Sequence, residues 1–149
     1  MKLLIEFGIS FMATIGFGII TNIPRRALPV AGVTGAVAWS GYMLLTWHGG
    51  SPFIANFTAA LIIGLLGNVF AVYRQVPVNM IYIPSLVSLV PGGTIYLAMK
   101  ALAYGQHSLA LQGMLDTLIV AIALAAGFVV AETIIRVYKQ LLENKLAKH

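Results

Sequence analysis

The segment Val78-Asn79-Met80-Ile81-Tyr82-Ile83-Pro84-Ser85-Leu86-Val87-Ser88-Leu89-Val90-Pro91-Gly92-Gly93-Thr94-Ile95-Tyr96 holds the residues best suited to chemistry in this chain. A proline removes one helix hydrogen bond and clashes with the preceding turn, while two glycines tolerate almost any backbone dihedral. A helix running through Pro91-Gly92-Gly93 is therefore predicted to break. The second half then begins with free amides at Gly92, Gly93 and Thr94, which present the positive end of the helix dipole to an anion such as a carboxylate. Ahead of the break, Tyr82, Ser85 and Ser88 fall within about 120° of one face, at about 100° per residue, and add hydroxyls. The competing reading is a kink whose hydroxyls bond back to their own helix.

Other polar residues suggest narrower roles. Arg25 and Arg26, in Asn22-Ile23-Pro24-Arg25-Arg26-Ala27-Leu28, can orient the chain and touch lipid phosphates, or gather an anionic substrate at a cytoplasmic entrance. Glu6 follows Lys2 by four residues and Glu132 precedes Arg136 by four, so each carboxylate can form a same-face ion pair. Asp116, at the expected start of the last apolar stretch, can cap free amides. Proton coupling or substrate contact is the alternative role for all three acids. Asn68 can either bond to a neighbouring helix or reach a substrate. No histidine–acid spacing suits a metal, no nucleophile has a base partner, and no glycine loop suits a phosphate, so neither an enzyme nor a cofactor is expected. The absence of cysteine excludes disulfides and thiolate chemistry.

The elements that must position these groups are membrane helices. Of the 149 residues 60% are hydrophobic and 9% charged, and the mean hydropathy is +0.94. A spanning helix takes about 20 residues, so five spans leave only short connections and no room for a soluble catalytic domain. The chain is predicted to be an all-α integral membrane protein, a single transmembrane domain with spans at about 3–21, 28–47, 53–73, 78–103 and 114–137, the fourth broken at Pro91-Gly92-Gly93. A basic tail, 138–149, follows, with Val137, Leu141, Leu142 and Leu146 along one apolar side. The first stretch is long enough to span and is read as retained. With the N-terminus outside, Arg25, Arg26, Arg74, Arg136, Lys139, Lys145 and Lys148 are cytoplasmic against Lys2 and Lys100 outside, the bias that basic residues impose on topology. The formal charge of +5 is scattered rather than clustered, which argues against nucleic acid. Small residues recur at helical spacing in three spans: Gly32 and Ala36; Asn56, Ala60, Gly64 and Asn68; and Ala123, Gly127 and Ala131. Each set can seat a neighbouring helix closely, in this chain or another.

The run Asn22-Ile-Pro-Arg-Arg-Ala-Leu with Ala31, Gly32 and Gly35, followed by Ile83-Pro84 and Pro91-Gly92-Gly93 ahead of Tyr96, resembles the threonine/serine exporter family. More specifically it is similar to the small-subunit type, which corresponds to the C-terminal membrane half of fused exporters. The resemblance covers nearly the whole chain. It implies export of small carboxylates across a bacterial-type cytoplasmic (inner) membrane: threonine and serine, or a C4-dicarboxylate such as succinate in some two-subunit members. Some relatives carry a histidine and an arginine in span two where this chain has Trp39 and Tyr42. A unit with an odd number of spans joined to a related half gives inverted topology, the arrangement that supports alternating access in many transporters. The expected partner is a larger membrane subunit of the same family, with a homo-oligomer as the fallback. A scaffold subunit that does not transport, or a passive pore, is the alternative function.

Overall fold

The computed structural model describes residues 2–146, and these are helical without strands. Six helices follow in order: α1 Lys2–Ile20, α2 Leu28–Trp47, α3 Pro52–Arg74, α4 Asn79–Ser85, α5 Gly92–Ala103 and α6 His107–Leu146. Four of them, α1, α2, α3 and α6, are long and apolar enough to cross a membrane. The first three match the expected spans to within one or two residues. Residues 147–149, including Lys148, lie outside the described residues, as do the side chains of Leu142, Lys145 and Leu146.

The turns share one local solution. Each of α1, α2, α3 and α5 ends on a residue with positive φ: Asn22 (54°), Gly49 (77°), Gln75 (52°) and Gly105 (74°). The next amide in each case reaches back five residues, as in Ile23 N–H to the Gly18 carbonyl at 3.0 Å and Gln106 N–H to the Ala101 carbonyl at 2.9 Å. This Schellman closure uses carbonyls the helix end would otherwise leave bare, which matters in lipid. Pro29 and Pro52 then open α2 and α3, where a missing amide costs nothing. The Ser51 hydroxyl caps α3 by accepting from Ile54 N–H at 3.3 Å.

Small residues decide how the helices meet. A Cβ added at Gly127 would lie 2.7 Å from the Ala60 Cβ, and one at Gly64 would collide with Ala131, so the stripes of α3 and α6 face each other within this chain. Since Gly64 meets Ala131 and Ala60 meets Gly127, the two helices run parallel. Gly32 faces Phe11 and Ile15 of α1, and Gly35 faces Thr14. The buried core is accordingly rich in alanine: Ala27, Ala31, Ala38, Ala59, Ala60, Ala123 and Ala131. With lipid as apolar as the core, close backbone approach is what drives association. One cluster closes the end that carries the α1–α2 and α3–α4 turns, joining Ile23, Ala27, Ala71, Val76 and Ile81. Arg25, Arg26 and Arg74 sit at that end, and the parallel register of α6 brings Arg136 and Lys139 there too.

The fourth expected span is two short helices separated by residues 86–91. Ser10 lies halfway along α1, and its hydroxyl is 3.0 Å from that of Ser88, which puts the break at mid-depth. The α4 helix packs on α1, α2 and α3, whereas α5 packs on α6 alone among the described elements. The last helix is longer than the expected span 114–137. Gly105 ends the preceding turn, and nothing between His107 and Gly113 breaks a helix, so α6 begins at His107. Extending the register with α3 sets Pro52 level with Ile119. The stretch from His107 to Leu118 then continues about 18 Å past the start of α3, at about 1.5 Å per residue.

Candidate functional site

Pro91 and the start of α5 form one wall of a cavity of about 210 Å³. Trp39 and Tyr42 come from α2, Asn56 from α3, Ser88 from the irregular segment, Gly93 and Thr94 from the first turn of α5, and Val120 from α6. The volume equals that of roughly seven liquid waters at about 30 Å³ each, which suits a solute of few heavy atoms. The donors follow from backbone accounting. Gly92 N–H turns to the Val90 carbonyl at 2.8 Å, and Ile95 N–H to the Pro91 carbonyl at 3.1 Å. Between them, the amides of Gly93 and Thr94 take no backbone partner among the described residues. Two free donors at the positive end of a helix therefore adjoin the cavity.

Part of the sequence-based expectation needs correction here. Gly92 does not offer its amide, because the tight turn at Pro91 consumes it. Nor does the break exploit glycine's freedom, since neither Gly92 nor Gly93 has positive φ. What the two glycines provide is open space: a Cβ at either meets nothing within 4 Å.

The three hydroxyls expected on one face go to three different places. Ser88 lines the cavity. Ser85 is fully buried, and its hydroxyl donates to the Ala31 carbonyl of α2 at 3.1 Å. Tyr82 points towards α3 and α6, where its hydroxyl lies 2.9 Å from Glu132 Oε1 and 3.0 Å from the Gly64 carbonyl, with one proton to give. Asn68 joins this second cluster, donating from Nδ2 to the Tyr82 hydroxyl and, at 3.4 Å, to Glu132 Oε1. The interhelical role is thus the one Asn68 fills. Ser85→Ala is expected to lower stability by about 1 kcal/mol, one neutral hydrogen bond, and to leave substrate preference unchanged. Thermal unfolding beside a competition assay checks both halves.

The acids also fall differently. The Glu6 partner is Trp39, whose Nε1–H donates to Glu6 Oε2 at 3.0 Å. Glu132 is held by Tyr82 and Asn68, so neither the Lys2–Glu6 nor the Glu132–Arg136 pair forms among the described residues. Asp116 stands in the third turn of α6 and caps nothing. It lines a larger hollow of about 500 Å³ together with Lys100 and Thr94. That hollow belongs to the α5–α6 hairpin alone, whereas the smaller cavity is walled by α2, α3, α6 and the broken segment. Arg25 and Arg26 are exposed on the α1–α2 turn, remote from the cavity.

Asn56, Trp39 and Tyr42 are the polar and aromatic lining residues that sequence reasoning did not assign to the site. Asn56 was legible only as part of a packing stripe; it is 3% exposed and donates from Nδ2 to the Pro52 carbonyl at 2.8 Å. Trp39 and Tyr42 stand three residues apart, a same-face spacing that could have marked them as an aromatic pair. Their rings stack with centroids 5.1 Å apart.

A family model described as Threonine/Serine exporter, ThrE, matches residues 6–134, most of the chain and every residue that lines the smaller cavity. No solved structure matches the chain.

Proposed function

The chain belongs to the threonine/serine exporter family, and from that premise we propose that it is one unit of a secondary exporter that carries small carboxylates out of the cytoplasm by alternating access, holding the substrate at the break between α4 and α5. The observation that carries this reading is the pair of amides at Gly93 and Thr94, without backbone partners among the described residues, in two residues that line the cavity. Broken backbone at membrane depth persists where it lines a cavity, and half-helix N-termini there receive substrate carboxylates. Ser88 and Thr94 add hydroxyls for a threonine, serine or C4-dicarboxylate substrate.

In this reading the N-terminus is outside and the basic end of the bundle faces the cytoplasm of a bacterial-type inner membrane. Arg25 and Arg26 then stand at the cytoplasmic entrance, where their charge concentrates anions without fixing their identity. A larger membrane subunit of the same family supplies the opposing half. Counterflow of labelled threonine, serine and succinate in vesicles, with and without that subunit, tests the proposal. Exchange only in the presence of both subunits is the expected result, and exchange of none of the three compounds by the pair sinks it.

Glu132 is the acid best placed to couple transport to protons, more so than Glu6 or Asp116. It ties α4, which leads into the cavity, to α6 through Tyr82, and Tyr82 has a second acceptor in the Gly64 carbonyl. An ionised carboxylate draws the Tyr82 proton, because hydrogen bonds to a charged acceptor are about twice as strong as neutral ones. A protonated carboxyl releases it towards Gly64, and the hydrogen bond between α4 and α6 is lost while the Tyr82 ring stays against Phe128. Glu132→Gln is therefore expected to retain counterflow, which needs no net proton movement, and to lose accumulation driven by a pH gradient. Equal loss of both would remove Glu132 from coupling.

A further inference from the structure

We infer that the outer face of α3 and α6 around Glu132 is where the opposing half docks, through a membrane helix that brings a lysine or arginine to mid-depth. The inference rests on the reading that a larger membrane subunit supplies that half, and adds the surface it uses and the chemistry that surface requires. Glu132 follows Ala131, which meets Gly64, and Gly64 adjoins Ile63, the midpoint of the 23-residue α3. The carboxylate therefore stands at mid-depth, yet Glu132 is exposed. Acids at this depth face protein or water rather than acyl chains, and they pair with a donor. The same chain shows what a lipid face looks like: from Leu4 to Ile20 along α1, every exposed position is apolar.

Two oxygens on this face lack a donor. Tyr82 and Asn68 both donate to Oε1 of Glu132, and its Oε2 accepts no hydrogen bond among the described residues. Asn68 directs its Nδ2 to the Gly64 carbonyl, Tyr82 and Glu132, so its Oδ1 is likewise without a donor among them. Two neighbouring acceptors, one of them charged, match a guanidinium or an ammonium. From Asn68 a groove of about 320 Å³ runs between the two helices, lined by Val69, Val72, Ile135, Tyr138 and Lys139, and it can seat the side chains of a crossing helix. A second copy of this chain does not fit the face. Helices in one bilayer share its mid-depth, so a symmetric pair would set Glu132 against Glu132, while Arg136 and Lys139 stand nearer the basic end.

Photocrosslinking in vesicles that hold the full chain with the larger subunit tests this. Benzoylphenylalanine in place of Val69 or Ile135 is expected to join the chain to that subunit, and in place of Ile9 or Met12, on the lipid face of α1, to give no such product. Glu132→Leu, which removes both acceptors, should weaken assembly of the pair about tenfold or more, whereas Glu132→Gln keeps an acceptor and should assemble with a smaller loss. Glu132→Lys should prevent assembly, and replacing the subunit's cation, located from the cross-linked peptide, by glutamate should restore it. The cross-links from Val69 and Ile135 do not depend on how the Glu132 variants fold. A pair that assembles and exchanges substrate but cross-links through α1, or whose Val69 and Ile135 products join only two copies of this chain, overturns the docking face and leaves the two-subunit exporter standing. Exchange by this chain alone overturns the larger subunit as the opposing half, and the docking face with it.

Discussion

Gly93→Val is expected to abolish substrate binding while the helical bundle stays intact. The two halves of that outcome have separate causes. A Cβ at Gly93 meets nothing within 4 Å, and the residue has no positive φ, so a valine enters without displacing a neighbour. Yet Gly93 lines the cavity, and its amide and that of Thr94 have no backbone partner among the described residues. A branched side chain there occupies part of about 210 Å³ and screens both amides from a carboxylate. A hydrogen bond to a charged group contributes about 1.5–3 kcal/mol, so losing it weakens affinity roughly tenfold to more than a hundredfold per bond. Gly92→Val is the matched control. Its added side chain is equally unobstructed, but its amide is already bonded to Val90 and it does not line the cavity. Threonine affinity and thermal unfolding measured for both variants decide the matter. Unchanged affinity in Gly93→Val, with normal unfolding, would make the break a packing kink and move the site elsewhere.

The break itself was legible because proline's missing amide acts whatever surrounds it. Its consequences were not, because they depend on backbone path. Helical spacing puts Tyr82, Ser85 and Ser88 on one face only if the helix continues, but α4 ends at Ser85 and residues 86–91 turn away. The hydroxyls consequently reach α3 and α6, α2, and the cavity. In the same way, Gly92 counted as a free donor until the turn closed on the Val90 carbonyl. The extent of α6 beyond the expected span was hidden for a different reason. Apolarity marks where lipid can surround a helix, whereas helix limits follow breakers, and between Gly105 and the C-terminal end of α6 there is no proline. The small-residue stripes were readable as surfaces that seat a helix. Which helix they seat is tertiary information: α3 and α6 are far apart in sequence, and pairing of Gly64 with Ala131 requires the intervening segment to double back through α4 and α5.

That pairing carries the second large effect, expected for Gly127→Val. The added Cβ falls 2.5 Å from the Phe57 carbonyl oxygen and 3.2 Å from the Leu61 nitrogen, both backbone atoms that no rotamer change can move. The α3 and α6 helices must then separate. Overpacking of this kind costs about 1–3 kcal/mol, and more where backbone must shift. Separation also pulls apart Asn56 and Val120, which face the cavity from the two helices, and loosens Asn68 from Glu132. The midpoint of thermal unfolding in detergent is expected to fall, and threonine binding to fall with it, although Gly127 touches no substrate. The reason for the loss is tested by rescue. Gly64→Ala brings its new methyl against the side chain of Ala131, so adding Ala131→Gly should return stability to near the starting value. Ala60→Gly should recover only part of the loss in Gly127→Val, because the Phe57 carbonyl remains in place. Full rescue by Ala60→Gly would show that the contact is side chain alone, and no loss in Gly127→Val would mean that α3 and α6 do not meet along these stripes.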